Sequence, residues 1–265
     1  MQSEKRRKFF LDKRAQLTVF IIIAVIIVAA IIIILYPRIK TSMSPSEPQP
    51  YLGDCLKTKL DETIKNIENR GGSVNPVLGI NYQGEKIEYL CFTNEYYKIC
   101  KQQQPLLKQH IENEILENMR ATVDTCIENM KTEMQARGYT AQSGQKNLSV
   151  EVNPSGVNLI VKADVVFTKE NSGERFEQFT INKPSKIYDF SNLAASIINW
   201  EATYGDSDIQ SFMLYYPNFK VEKYKQDEGS KIYIITDRKT SEKFTFASRS
   251  LSWYPGYGFN KIVRP

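Results

Sequence analysis

The sequence is poor in the residues that most enzymes use for chemistry. It has one histidine, His110, in 265 residues, so a Ser-His-Asp or Cys-His centre has to use that side chain. His110 lies in a strongly periodic apolar pattern, which favours an ordinary helix residue. The chain also lacks a P-loop, a GxGxxG motif and a GxSxG nucleophile elbow. We therefore predict no catalytic residue, no metal ligand and no cofactor, and keep an extracytoplasmic enzyme as an alternative.

Three acidic groupings resemble fragments of known sites, and each lacks the rest of the site. Glu112 with Glu114, or Trp200 with Glu201, would suit a glycosidase, but carboxylates are common and no wider context supports that reaction. The stretch Asp206-Ser207-Asp208 offers oxygen ligands for calcium. The other ligands of a calcium loop are missing, so a helix-capping loop is the favoured interpretation.

The C-terminal four fifths of the chain lacks net charge. Residues 51–265 carry 27 basic and 27 acidic side chains, whereas residues 1–16 carry a net charge of +4 and residues 37–50 a net charge of +1. The excess of +5 therefore flanks an apolar stretch instead of forming a basic face. This distribution is a signal of membrane topology and not a nucleic-acid footprint, and we predict no nucleic-acid partner.

The apolar stretch between these basic segments is Leu17–Tyr36, which has no charged residue and contains nine isoleucines. Twenty helical residues span about 30 Å, the thickness of the hydrocarbon core of a bilayer. We predict a cytoplasmic tail at 1–16, a single transmembrane helix at 17–36, a proline-rich linker at 37–50 and an extracytoplasmic domain at 51–265. The positive-inside rule gives this orientation in the cell membrane. No small-residue cleavage site follows the stretch, which disfavours a secretory signal peptide.

The segment before the apolar stretch has a recognisable pattern, Arg14-Ala15-Gln16-Leu17-Thr18-Val19-Phe20. It resembles the processing region of archaeal class III, or prepilin-like, signal sequences. The resemblance implies cleavage between Ala15 and Gln16, with the apolar helix kept on the mature protein. Phe20 departs from the pattern, because many pilins have Glu at that position and use it for subunit docking. An uncleaved signal anchor is the alternative.

The rest of the chain resembles uncharacterised membrane-anchored proteins of archaea, and that resemblance implies no activity. The stretches that give it are Asp54-Cys55-Leu56, Gly71-Gly72, Tyr89-Leu90-Cys91, Asn199-Trp200-Glu201-Ala202 and Phe246-Ala247-Ser248-Arg249-Ser250.

All four cysteines follow the apolar stretch, which indicates two disulfides in an exported domain. Three pairings are possible. We favour Cys55–Cys126, because the start of one helix meets the end of the next if the two pack antiparallel. The second pair is then Cys91–Cys100, on adjoining strands. A zinc site and free thiols are the alternatives, although no two cysteines lie close enough for a CxxC motif.

Periodicity predicts an α+β domain, with helices packed on a mainly antiparallel sheet. Helices are expected at about 52–70, at 107–137 with or without a break, at 185–204 and at 209–215. Strands are expected at 86–93, 96–100, 146–152, 156–168, 174–182, 219–226, 230–236 and 243–249.

Two exposed features bear on partners. Asn147-Leu148-Ser149 is an N-glycosylation sequon in an expected loop. The C-terminal aromatic segment, whose members are Trp253, Tyr254, Tyr257 and Phe259, is expected either to dock a partner or to fold back onto its own sheet. We predict a structural or protein-interaction role at the cell surface, with protein partners or self-assembly. A pilin-like subunit of a type IV pilus-like filament or secretion apparatus is the alternative.

Overall fold

The computed structural model describes residues 23–28, 47–170 and 172–252. Residues 23–28 are helical. Within the described part of the chain, no helix is both long and apolar enough to cross a membrane. Most of the predicted transmembrane helix, Ala15 and Gln16, residues 37–46 and the C-terminal aromatic segment lie outside the described residues. The compact domain begins at Leu52.

Two long helices carry the apolar stripes that the sequence predicts. Helix α1 is Pro48–Arg70, and helix α2 is Leu107–Ala136, which runs without a break. Every member of the α2 stripe from Leu107 to Met134 is buried. Gly71 follows α1 with φ +83°, and a Cβ there would press on Glu88. The left-handed conformation explains why glycine ends this helix.

A three-stranded antiparallel sheet packs against α2. Its strands are β4 (Thr140–Asn153), β5 (Gly156–Lys169) and β6 (Ser172–Lys183), with β5 in the centre. Strand β4 begins six residues earlier than predicted and contains a register shift between Ser143 and Lys146. One face of β5 is apolar and buried from Val157 to Phe167. On β4, Lys146 forms ion pairs with Asp124 and Glu128 of α2, so this edge strand is held against the helix.

A mixed sheet forms the second layer. Its strands are β1 (Gly79–Tyr82), β2 (Glu85–Phe92), β3 (Lys101–Gln102), β7 (Phe219–Lys225), β8 (Ser230–Asp237) and β9 (Lys243–Arg249). They lie in the order β1-β2-β9-β8-β7, with β3 paired to β2. Strands β2 and β9 are parallel, and the other pairs are antiparallel. The prediction of a strand at 96–100 is wrong, because that segment is a loop in which Tyr97 has a φ of 60°. Strand β1 was not predicted.

Helix α3 (Ile187–Tyr204) contacts both layers, and the short helix α4 (Ile209–Tyr215) packs beside it and on β7. The buried side of α3 places Phe190 against Phe244 and Phe219, at ring-centroid distances of 6.2 and 5.7 Å. The α+β class is therefore confirmed for the described residues, with two sheets where the sequence predicted one. Helix α3 contacts strands of both sheets.

Candidate interaction surface

The exposed side of α3 continues onto α4 as a group of large apolar and aromatic side chains. We call this group the aromatic surface; its exposed fractions are Trp200 43%, Tyr204 61%, Leu214 80%, Tyr215 79% and Tyr216 43%. Side chains of this size normally contribute to cores and interfaces. Single exposed apolar residues need no explanation, but a contiguous group of them indicates an interaction site.

Ring contacts join two members of the aromatic surface to each other and connect α3 to α4. The Trp200 ring lies 5.0 Å from that of Tyr204 and 6.3 Å, edge-on, from that of Phe212. Phe212 is buried beneath α4. Helix α4 therefore rests on α3 through Phe212, and Leu214 and Tyr215 project from its last turn.

The loop Asp206-Ser207-Asp208, which offers oxygen ligands for calcium in the sequence, precedes α4 and fixes its start. Asp208 is the N-cap of α4, where its Oδ1 accepts from the backbone N–H of Gln210 at 3.0 Å. Its Oδ2 accepts from the Ser211 hydroxyl at 2.7 Å. These bonds lower the pKa of Asp208. The predicted helix-capping role is confirmed for Asp208, and such a cap sets the direction in which α4 leaves the loop.

The part of the aromatic surface that α4 and the residue after it contribute lies in a segment without charged side chains. Residues 209–219, IQSFMLYYPNF, contain no acidic or basic side chain. The acidic residue of α3 next to Trp200 is Glu201, and its side chain is fully buried. At this end of α3 the carboxylate is therefore inside the domain, and the Trp200 and Tyr204 rings are at its surface.

The Glu201 carboxylate is the centre of a buried polar network. Oε2 accepts from Lys231 Nζ at 2.7 Å and from the Ser248 hydroxyl at 2.9 Å. Oε1 accepts from the backbone N–H of Ser207 at 3.0 Å and from the Tyr233 hydroxyl. Burial, then the charge of Glu201, raise the pKa of Tyr233 well above its ordinary value. A carboxylate with four donors is satisfied, so the network fastens the C-terminal end of α3 to β8 and β9.

Lysines surround the remaining member of the loop, Asp206. Lys231 Nζ lies 3.2 Å and Lys223 Nζ 2.8 Å from its Oδ1. Burial on its own raises the pKa of Asp206, but the nearby lysines, including Lys225, outweigh burial and lower it to about 2. The carboxylate is therefore paired and not arranged for calcium. Among the described residues, no group of three or more His, Cys, Asp or Glu side chains is placed to hold a metal ion.

Carboxylates also hold the N-terminal end of α3. Ser185 donates from its hydroxyl to Glu68 Oε1 at 3.1 Å, and the backbone N–H of Lys186 donates to Glu242 Oε2 at 3.1 Å. Burial raises the pKa of Glu68 to about 7, and the nearby charge of Glu242 adds to this effect. A cleft of about 430 Å³ opens here and is also lined by Lys183. Both ends of α3 are thus fixed to other elements, which gives the aromatic surface a rigid support.

The single histidine forms a different cluster. His110 Nε2 lies 2.7 Å from the Ser73 hydroxyl, which also donates to the buried carboxylate of Glu88. Glu88 lies 3.8 Å from the same Nε2, whereas a catalytic triad needs its acid on Nδ1. Burial raises the pKa of Glu88. Ser73 is itself buried, so the cluster resembles a structural polar contact between α2 and β2.

The acidic pairs considered for a glycosidase do not converge. Glu112 Oε1 accepts from the backbone N–H of Val152 at 2.9 Å, and Glu114 Oε2 accepts from that of Val74 at 2.8 Å. Each carboxylate therefore satisfies a separate backbone donor. Trp200 is partly exposed whereas Glu201 is fully buried in its own hydrogen-bond network, so the two side chains do not line one open cleft.

The cysteines and the sequon complete the predicted sites. The structure pairs Cys55 with Cys126 at a Cα separation of 6.0 Å, and Cys91 with Cys100 at 5.3 Å. This is the pairing that helix packing and strand spacing favoured, and the described residues include no free cysteine. Asn147 is exposed on β4, inside the predicted strand 146–152, and the separate expectation of a loop around the sequon is wrong. Its outward position follows from the alternation of the strand.

Comparison with protein-family models, with curated proteins and with solved structures finds no match for this chain. The aromatic surface was itself missed at the level of sequence, because Leu214 and Tyr215 fall in a helix too short to show a periodic pattern. The available signal was the charge-free stretch 209–219, which is unusual in a chain that is 25% charged.

Proposed function

We propose that the protein is a single-pass, membrane-anchored protein of the cell surface, whose extracytoplasmic α+β domain has a structural or protein-interaction role. The cytoplasmic part is the short basic tail, residues 1–16. The apolar stretch Leu17–Tyr36 supports the anchor through its length and its lack of charge. The neutral composition of residues 51–265 supports a protein-interaction role over binding of nucleic acid.

One observation carries the proposal most directly, namely that two disulfides use all four cysteines of the chain. Disulfides persist in oxidising compartments and are rare in the cytosol. Both bridges lie after the apolar stretch, on the side of it that the positive-inside rule assigns to the exterior. Disulfide position and charge asymmetry are independent of each other, and both support the same orientation.

A pilin-like subunit is the second candidate, and the segment Arg14–Phe20 is what favours it. Cleavage between Ala15 and Gln16 would leave a mature protein that begins at the apolar helix. Phe20 replaces the Glu that many pilins use in subunit docking, which weighs against assembly into a filament. The proline-rich linker also differs from a pilin, whose first helix runs on into its head domain.

The mature N-terminus separates the two candidates. The protein is extracted from membranes and its N-terminal peptide is identified by mass spectrometry. A terminus derived from Met1 supports the plain anchor and contradicts the pilin-like alternative. A terminus at Gln16, together with filaments in sheared fractions, supports the pilin-like subunit. Recovery of the protein in the soluble fraction after carbonate washing contradicts both.

A further inference from the structure

We propose that the aromatic surface lies against the lipid headgroup layer of the membrane that anchors the chain. The inference rests on the proposed function, because it needs the anchor. It assigns α3 and α4 a second, peripheral contact with the bilayer, in addition to the predicted span at Leu17–Tyr36.

The chemistry of the surface fits the membrane interface. Tryptophan and tyrosine are enriched at the headgroup level, where an apolar ring and a polar tip are both solvated. The aromatic surface has one tryptophan, three tyrosines and one leucine. The charge-free stretch 209–219 carries three of these side chains. The last turn of α4 can therefore approach lipid without bringing a charge of its own out of water, because Asp208 caps the opposite end of the helix.

The shape of the surface also fits a fluid layer. Leu214 and Tyr215 are the most exposed of its side chains, at 80% and 79%, and they project from the last turn of α4. A projecting tip can enter a headgroup layer without a matching cavity. A protein partner would have to supply a pocket for it. Trp200 is half-buried, and its ring contacts Phe212 of α4, so it lies beside the helix that carries the tip.

The linker keeps the domain close to the bilayer. Only eleven residues, 37–47, separate Tyr36 from the start of α1. Fully extended, they reach at most about 40 Å. A domain of roughly 200 residues has a radius of gyration of about 16 Å, and a sphere with that radius of gyration is about 40 Å across. The reach of the linker is therefore close to the diameter of the domain. Since the domain has no net charge, its apolar surfaces are expected to decide which side meets the membrane.

The test uses Trp200 as a fluorescent reporter in the full chain. Trp253 is the other tryptophan, so a Trp253→Phe background leaves Trp200 alone. The protein is reconstituted into phosphatidylcholine vesicles, with and without phosphatidylcholine brominated near the headgroup end of its chains. We expect loss of Trp200 emission with the brominated lipid. Leu214→Ser combined with Tyr215→Ser should restore the emission.

A matched reporter controls for collisions with lipid. Tyr224 is an aromatic residue of similar exposure, 41%, on β7, and Tyr224→Trp in a Trp200→Phe, Trp253→Phe background should keep its emission with the brominated lipid. Equal quenching of both reporters contradicts the inference. Far-UV circular dichroism checks that every variant is folded.

The outcomes also distinguish this inference from the proposed function. Failure of the chain to float with the vesicles contradicts the anchor itself. Flotation with an unquenched Trp200 contradicts only the lipid contact. Flotation with an unquenched Trp200 and crosslinks between copies at Leu214 assigns the surface to a second copy and overturns the inference. Flotation with selective, Leu214-dependent quenching supports both proposals.

Discussion

Replacing Lys231 with methionine leaves the Glu201 carboxylate buried without its cation. Glu201 is fully buried and Lys231 is 6% exposed, so water cannot take the place of the ammonium group. Loss of one partner from a buried ion pair costs about 3–5 kcal/mol. Tyr233, Ser207 and Ser248 still donate to Glu201, so we expect the lower end, about 3 kcal/mol.

Thermal unfolding of the detergent-solubilised full chain, followed by circular dichroism, measures this loss. For a domain of this size, about 3 kcal/mol corresponds to a decrease in Tm of roughly 6–12 °C. Lys220→Met is the matched control, because Lys220 is half exposed and pairs with Glu222 on β7 at 2.8 Å. The control should change stability by less than about 1 kcal/mol.

A second variant separates charge from packing. Combining Lys231→Met with Glu201→Gln removes the buried charge, so part of the lost stability should return. The reasoning is refuted if Lys231→Met and Lys220→Met have the same Tm. It is also refuted if the double variant is less stable than Lys231→Met alone, since Glu201 would then not be the source of the cost.

Three further predictions concern the same fold. Glu68 has an ordinary pKa of 4.5 and a folded pKa of about 7, so between these two pH values the folded state keeps a proton that the unfolded state loses. The free energy of unfolding of the wild type should therefore fall by on the order of 3 kcal/mol as pH rises from about 4.5 to 7. Glu68→Gln should flatten that pH dependence in urea unfolding, and an unchanged profile would contradict it. Loss of the Cys55–Cys126 bridge, which spans 71 residues, should lower the free energy of unfolding by about 4 kcal/mol by the loop-entropy relation. Loss of Cys91–Cys100, which spans 9 residues, should lower it by about 3 kcal/mol. Paired Cys→Ala variants whose stabilities rank in the opposite order would count against this prediction. Gly205→Ala should lower Tm, because Gly205 has a φ of 81° and a Cβ there would collide with Ser252; Gly53→Ala, in open space on α1, is the control and should not lower it.

The sequence was sufficient for elements that have a long, regular apolar pattern. Helix α2 repeats its stripe over 30 residues, and the long alternation of β5 is equally clear. Both patterns follow from the geometry of a single element. The pairing of Cys55 with Cys126 was also predicted, from the expectation that two antiparallel helices bring these residues together. Cys100 pairs with Cys91 although it lies in a loop and not on the expected strand.

What the sequence did not predict depends on contacts between distant segments. Glu201 and Lys231 are 30 residues apart, and no periodic pattern shows that a helix carboxylate will meet a strand lysine. Alternation identifies strands but not their partners, so two sheets were predicted as one. The loop at 96–100 has strand-forming residues, and the short disulfide loop overrides their preference. The aromatic surface depends on how α4 packs on α3, which a seven-residue helix cannot signal alone.

The central claim is an exported domain held at the membrane, and intact mass of the membrane-extracted protein tests it most directly. The protein is treated with an alkylating reagent before and after reduction. The account predicts no alkylation before reduction and four alkylated cysteines after it, because the structure places all four in disulfides. Four alkylated cysteines without reduction would contradict the account, since the domain would then lie in a reducing compartment.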